Sequence, residues 1–414
     1  MLSFKGWKVL LSIPIKLLAV LLKYPFAGGV NKKFKYDLLN SLKLILYRTA
    51  LHMPVRESAL LSIMSNHFII NKLIKNLYPT LTKLPSYGKK YDKQSYWLVK
   101  NRDRKPNDPI LIFLHGGGYF FETMPCQIES LLSIYHVLDA PKRSSLSILV
   151  LDYKLASRGY KIPYQLTQLI ETYTNLVKDG NTNMMLMGDS AGGNLALTFL
   201  QHLRLDHVNL PYPTSTILIS PWVKLAPDEI QNTPGYSYHD NTPVDMIQVD
   251  FFRDVEKQNA ILGDIEHTEL TISPGNCLYR HEDWEDIPSL VEPGHSVFVI
   301  VGEHECFRDD VLEWCHFALK SPLTSQRDDS RGVFNPKIHE YIRNGNDFAY
   351  VEVVVEPWGV HDSVLYFENT IISKVKKNPK LKVNLLNSHE YFGFIKLVNF
   401  LNNVLPGSSQ TKFV

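Results

Sequence analysis

Cysteine is scarce in this chain. Cys126, Cys277, Cys306 and Cys315 lie far apart and form no C-x-x-C pair. That spacing excludes the paired-cysteine zinc modules, so no metal site is expected, and it leaves the disulfide state open. A charge excess is also missing: 44 Lys and Arg stand against 42 Asp and Glu. No basic run is interleaved with aromatics, so no nucleic-acid partner is expected. There is no N-x-S/T sequon, no internal repeat and no low-complexity stretch. What remains is a chain of 414 residues, 44% apolar, long enough for a large core in one or two domains.

Long apolar runs are absent too, with one exception. From Trp7 to Phe26 most residues are apolar, and Val9 to Leu22 is the densest part. That core is shorter than the roughly 20 residues of a membrane span. Lys5, Lys8, Ser12, Lys16 and Lys23 recur at helical spacing and form one polar stripe on an otherwise apolar cylinder. Several readings fit. The helix lies in a membrane interface with its lysines snorkelling to headgroups. Extended through its flanks it spans as a signal anchor. With Ala27-Gly28-Gly29 behind it, it is a cleaved signal peptide. Or it packs on the protein's own core. Lysines flank the segment on both sides and give no orientation. Membrane lipid is the expected partner.

Apolar positions over 36–90 fall at helical spacing, including Leu38, Leu42 and Ile45, then Leu60, Leu61, Ile63 and Met64. Two or three helices are predicted there. A repeating order follows. Strands are expected at Ile110–Leu114, Leu146–Leu151, Met184–Met187 and Ser215–Ser220. Helices are expected near Gln127–Leu138, Tyr164–Val177 and Ala191–Leu203. Strands alternating with such helices predict a mostly parallel sheet covered on both faces. The rhythm breaks at Val223–Gly294, too long for an ordinary connection and therefore read as an inserted cap. Strands resume at Ser296–Val301 and Tyr350–Val355. A loose polar insertion separates them at Ser321–Asp347, and an amphipathic helix closes the chain at Glu390–Leu405. The expected divisions are 1–27 (N-terminal anchor), 28–107 (helical cap region), 108–222 and 295–414 (two parts of one α/β domain), and 223–294 (inserted cap).

Two glycine patterns each follow a predicted strand. His115-Gly116-Gly117-Gly118 follows Ile110–Leu114, and Gly188-Asp189-Ser190-Ala191-Gly192-Gly193 follows Met184–Met187. Either pattern alone is common by chance; the strand context supplied twice is not. G-x-S-x-G is the pattern of a nucleophile elbow, where glycines remove the Cβ atoms that a strained strand-to-helix turn cannot hold. The glycine run exposes backbone N–H groups of the kind an oxyanion hole needs. Ser190 is the candidate nucleophile, with the N–H groups of Gly117, Gly118 and Ala191 as oxyanion donors.

A serine hydroxyl needs a base, and the base an orienting carboxylate. In this architecture both follow the serine on loops after late strands. Among the fifteen histidines, His361 lies just beyond the last strand. His316, His339 and His389 are the other late ones and are less well placed. Glu303, Glu305, Asp309 and Asp310 follow the strand ending at Val301. Glu305 at the turn is the candidate acid. Asp309 and Asp310 are expected to open the next helix, and Glu303 to be a solvated loop residue.

These motifs resemble those of the hormone-sensitive-lipase group of α/β-hydrolases, which includes arylacetamide deacetylases. His115–Gly118, Asp152-Tyr153-Lys154-Leu155-Ala156, the Ser190 elbow and Glu305-Cys306-Phe307-Arg308-Asp309-Asp310 occur in the group's order over about 108–361. The chain departs from the group at Glu305, where Asp is usual, and after Ala156, where a proline is missing. Within the group, the apolar N-terminus and large insertions are most similar to fungal steryl acetyl hydrolases. The resemblance implies an α/β-hydrolase fold and a cofactor-free serine esterase acting on a hydrophobic ester, an acetylated sterol. It also implies the endoplasmic reticulum membrane, with a lumenal catalytic domain as one reading and the membrane side left open. The alternatives are a broad lipid or xenobiotic carboxylesterase and a non-catalytic hydrolase fold, the latter disfavoured by an intact serine and histidine. Oligomeric state is not legible.

Overall fold

A computed structural model of the chain describes residues 2–61, 64–206, 209–324 and 332–407. Eight strands form one sheet in the order β1-β3-β2-β4-β5-β6-β8-β7. They are β1 Ser95–Val99, β2 Ile110–Leu114, β3 Ser147–Leu151, β4 Met184–Asp189, β5 Ser215–Ile219, β6 Ser296–Gly302, β7 Glu340–Arg343 and β8 Tyr350–Glu356. The central pairs are parallel, while β1 on β3 and β7 on β8 are antiparallel. The expected parallel core is present. Two edge strands extend it, and β1 carries the sheet upstream of the boundary expected at 108. β7 lies inside the stretch read as a loose insertion, of which 325–331 fall outside the described residues.

Burial on both faces explains the apolar strands. In β2, Ile110, Ile112 and Leu114 feed one core while Leu111 and Phe113 feed the other. The two cores are covered by helices. α1 (Phe4–Ala27), α2 (Leu38–Ala50) and α3 (Val55–Leu61) precede the sheet, and a helical stretch, π-wound over Ile69–Ile74, runs from Asn66 to Leu77. Ile63 lies outside the described residues. α4 (Pro125–Val137), α5 (Tyr164–Lys178), α6 (Ala191–Leu205), α7 (Arg308–Leu319) and α8 (Phe392–Val404) are the larger helices of the α/β part. The segment 223–294 holds only short helical turns, and its aromatics Tyr238, Phe251, Phe252 and Trp284 are buried in the main core.

α1 departs from the expected placement of its polar stripe. It packs on α2. The Lys5 ammonium pairs with Asp254 (3.1 Å), and Lys16 donates to Thr49 (3.3 Å). Two lysines of the stripe, both still exposed, thus make contacts to the protein. Apolar residues face out too, Phe4, Leu11, Ile15, Leu18, Leu22 and Phe26 among them. Gly28 ends α1 in a left-handed cap, φ +75°, with its N–H on Tyr24 O (2.8 Å). A Cβ on Gly29 would meet Phe34 O at 2.3 Å, so that turn itself accounts for both glycines. Beyond it, the half-buried Lys33 pairs with Glu356 (2.5 Å) at the end of β8.

Candidate active site

The sharp turn after β4 puts Ser190 at φ 49°, ψ −115°, a conformation that persists only where its surroundings fix it. Its N–H donates to Ile219 O (3.0 Å), and its own carbonyl accepts from Asn194 N (3.1 Å) and Trp222 N (2.9 Å). Backbone proximity explains the glycines. A Cβ on Gly188 would lie 2.2 Å from Gly192 O. One on Gly192 would lie 1.8 Å from Leu114 O, and one on Gly193 2.7 Å from Pro221. The elbow is therefore pressed directly against β2 and β5.

The loop after β2 is tied to the same turn. Asp189 accepts from Gly116 N (2.9 Å) and from Gln127 Nε2 (2.7 Å). The 152–156 motif clamps the loop from the other side. Tyr153 donates its hydroxyl to His115 O (2.5 Å) and stacks on the His115 ring, and Ala156 N donates to Tyr119 O (2.8 Å). Burial pushes the His115 imidazole down to about 4, so it is neutral and structural. Gly117 and Gly118 have φ +105° and +62°, and both line the cavity beside Ser190. With Ala191, which opens α6, they present N–H groups that no hydrogen bond among the described residues occupies.

His361 and Glu305 arrive on the loops after β8 and β6. His361 Nε2 lies 2.9 Å from Ser190 Oγ, and Nδ1 lies 2.9 Å from Glu305 Oε1. An ionised carboxylate only accepts, which assigns the proton to Nδ1 and leaves Nε2 to accept from the serine hydroxyl. Glu305 Oε2 accepts from Gly302 N and Ser220 Oγ, both at 2.8 Å. Both side chains are almost wholly buried. Of the six residues named from the sequence, Gly117, Gly118, Ser190 and His361 line the cavity, while Glu305 is buried behind His361 and Ala191 follows Ser190 at the start of α6. His316, His339 and His389 lie elsewhere, in α7, beside Phe334 and in an exposed turn. Asp309 and Asp310 sit in the first turn of α7, where Ser237 N and Gln231 Nε2 donate to them. Glu303 is not solvated as expected: it is 9% exposed, and its carboxylate accepts from Trp358 N (2.7 Å). It braces the loop that carries His361, a role invisible without the β6–β8 pairing.

Two further carboxylates touch this centre. Asp245, from the inserted segment, accepts from His361 N (2.8 Å) and Met246 N (2.7 Å) through Oδ1 and from Cys306 N (2.9 Å) through Oδ2. Burial lifts it to about 6. Asp362 holds a left-handed backbone (φ 53°), and its Oδ2 lies 3.2 Å from His361 Nε2. Burial would push the His361 imidazole down, but the Asp362 and Glu305 carboxylates outweigh it and hold its pKa well above the ordinary histidine value. The left-handed backbone at Asp362 has no signature in sequence; adjacency to His361 was the only available signal.

The cavity in front of Ser190 is narrow, about 100 Å³, and opens to solvent. Tyr47 of α2, Phe121, Trp222, Phe251, Phe252 and Phe307 supply aromatic walls. The lining is that of a site for an apolar ligand.

Fold and site together define the class: an α/β-hydrolase fold, like that of bacterial hormone-sensitive-lipase-family esterases, and a carboxylic ester hydrolase. A bacterial esterase of that family shares the fold at a TM-score of 0.50, with 18% identity over 88% of this chain and 98% of its own. The chain belongs to the steryl acetyl hydrolase family, whose model matches residues 54–325. It is 30% identical to the candidate steryl acetyl hydrolase mug81 of Schizosaccharomyces pombe over 325 residues, 74% of this chain and 81% of that one. Steryl acetyl hydrolase 1 of Saccharomyces cerevisiae is 38% identical over 119 residues, 28% of this chain and 27% of the relative.

Proposed function

We propose that the chain removes short acyl groups, acetyl foremost, from a hydrophobic alcohol of sterol type at a membrane surface. The observation that carries this reading is the contact of Ser190 with His361 at the floor of an aromatic cavity, with Glu305 behind the histidine. Ser190 Oγ attacks the acyl carbon while His361 Nε2 takes its proton. The same nitrogen then protonates the departing alkoxide. Glu305 keeps the imidazole in the required tautomer and stabilises the imidazolium. The N–H groups of Gly117, Gly118 and Ala191 receive the oxyanion, a contribution worth roughly 10²–10³ in rate per donor.

The aromatic walls favour a flat alicyclic alcohol over a flexible chain, because rigid rings lose little freedom on binding. The membrane part of the reading rests on α1, a helix of 24 residues with an apolar outer face. α1 packs on α2, and α2 with its C-cap Leu51 supplies Tyr47, Ala50 and Leu51 to the cavity, so the helix sits beside the route a lipid-dissolved ester would take. The test is a series of sterol and aryl esters of increasing acyl length, presented in vesicles and in solution. Sterol acetate should be turned over with the highest kcat/KM. Equal rates on long acyl chains, or preference for aryl over sterol acetates, would make it a general carboxylesterase instead.

A further inference from the structure

Asp362 is a carboxylate where an apolar ester site has no evident use for one. It is 1% exposed and lines the cavity beside Ser190 and His361. One oxygen, Oδ2, is 3.2 Å from His361 Nε2, the nitrogen that also faces Ser190 Oγ. The other, Oδ1, has no hydrogen-bond partner among the described residues. A buried, unpaired carboxylate oxygen is costly, so such an atom marks a place where a donor binds. Its main chain is fixed by Asp362 N on Ser220 Oγ (3.1 Å), and Ser220 in turn holds Glu305. Asp362 cannot replace Glu305, because it stands at Nε2 and not at Nδ1.

We propose that Asp362 holds the water that hydrolyses the acyl-enzyme. The proposal rests on the serine-esterase reading above. The argument is a count of protons. Ser190 Oγ–H carries one, and His361 Nε2 takes it, so acylation needs no second acceptor. Water carries two. As its oxygen bonds to the acyl carbon, one proton passes to His361 Nε2. The second is held by the Asp362 carboxylate, which aims the oxygen lone pair at carbon. Collapse breaks the bond between the acyl carbon and Ser190 Oγ, and His361 returns its proton to Oγ. The products are the free carboxylic acid and the restored serine. An alcohol acceptor such as methanol has a single hydroxyl proton and, like serine, does without Asp362. The residue thereby favours hydrolysis over transfer of the acyl group to another alcohol.

The test uses the full chain with p-nitrophenyl acetate, rapid quench and intact-mass detection of the acetyl adduct on Ser190. Asp362→Gly removes the carboxylate at a left-handed position that glycine adopts freely, so the fold should persist. Asp362→Asn keeps one acceptor oxygen and tolerates the same backbone. In Asp362→Gly, assayed at a pH above the His361 limb of both proteins, the adduct should outlive the wild type's in water by about 10²-fold, the scale of a lost positioning contact, a far larger change than any in the acylation rate. With methanol added, the ratio of methyl acetate to acetate should rise by a similar factor, and Asp362→Asn should restore most of the wild-type ratio. An unchanged ratio, with both acceptors slowed equally or neither slowed, would overturn the proposal and make Asp362 only a neighbour of His361. Failure of the wild type to form any acetyl adduct on Ser190 would instead overturn the serine-esterase reading itself.

Discussion

The two halves of the site are built by different means. Ser190 and the glycine loop follow β4 and β2, neighbours at the centre of the sheet; the elbow is held by main-chain contacts too close for a Cβ, and the adjacent Asp189 ties the glycine loop to it. His361 and Glu305 sit on β8 and β6, and the loops that carry them are held by side chains from far away. Asp245 bonds the main chain of His361 and of Cys306, and Asn241 Nδ2 donates to Glu305 O (2.9 Å). The same short segment is gripped from its other side by the N-terminal region: Arg48 donates to Thr242 O (2.9 Å) and Pro243 O (2.8 Å), and Asn31 to Val244 O (2.9 Å). One half is fixed by local steric necessity. The other depends on a strap between the N-terminal helices and the catalytic loops.

The largest effect should come from the self-supporting half. Ser190→Ala should lower kcat by roughly 10⁴-fold or more, since members of such a triad act as a unit. The melting temperature should hardly change, because alanine keeps the same backbone and only one side-chain hydrogen bond is lost. Ester hydrolysis and a thermal melt on one preparation check both. Wild-type-like turnover would refute the assignment of Ser190.

The strapped half should behave differently, with activity and stability falling together. Asp245→Ala leaves the buried N–H groups of His361 and Cys306 without their acceptor, a cost of about 1–3 kcal/mol per unsatisfied group. Displacement of the histidine loop should slow fluorophosphonate labelling of the intact Ser190 by about 10²-fold, the usual result of a misplaced catalytic group. Asp245→Asn, which still offers one oxygen, should recover part of both losses. If Asp245→Ala melts like wild type and labels at the wild-type rate, the two halves are equally self-supporting and the contrast fails.

The same contrast governs what was legible. The elbow, the glycine loop and the parallel strands are contiguous patterns whose physical cause lies within a few residues, and they were read almost to the residue. β1 and β7 were not. They are edge strands of five and four residues, and β7 is only half-buried, so no apolar pattern marks it. The winding of 363–367 after His361 escaped for a similar reason, since it is buried on all sides and shows no periodicity. Asp245 lies 116 residues from the histidine it supports, and nothing near it in sequence announces the contact. The exposure expected of Glu303 failed because a loop glutamate is ordinarily solvated and only the closeness of β8 gives it a partner.

The charge around His361 gives a smaller, graded test. Asp362, Glu305, Asp245 and Asp189 are the carboxylates that act on the imidazole, and the Phe307 ring meets its edge. The base must be neutral to accept the serine proton, so kcat/KM should rise with pH through the raised His361 pKa, above the ordinary 6.5. Removing the carboxylate in Asp362→Gly destabilises the imidazolium and should move that limb toward lower pH. A limb that stays in place would mean that Asp362 is protonated throughout and exerts no field on the histidine.

The smallest effect on turnover should come from the outer face of α1, and its absence is the informative result. The helix has two apolar faces with different duties. Val20 is buried against the protein, whereas Leu11 and Leu18 are 61% and 55% exposed. Burying a large apolar side chain is worth about 1.5–3 kcal/mol, so an outer row of such residues gives a substantial affinity for a lipid interface. Leu11→Glu with Leu18→Glu puts two charges on that row without touching the α2 contact that backs the cavity. Binding to lipid vesicles should be lost, and hydrolysis of sterol acetate dissolved in them should fall with it. Kinetics on a water-soluble aryl acetate should match the wild type, because α2 and the strap remain in place. Retained vesicle binding would remove the membrane role from this face. Collapse of aryl-ester activity would show that the outer face of α1 belongs to the strap, and that the N-terminal region holds the catalytic loops through more than Asn31 and Arg48.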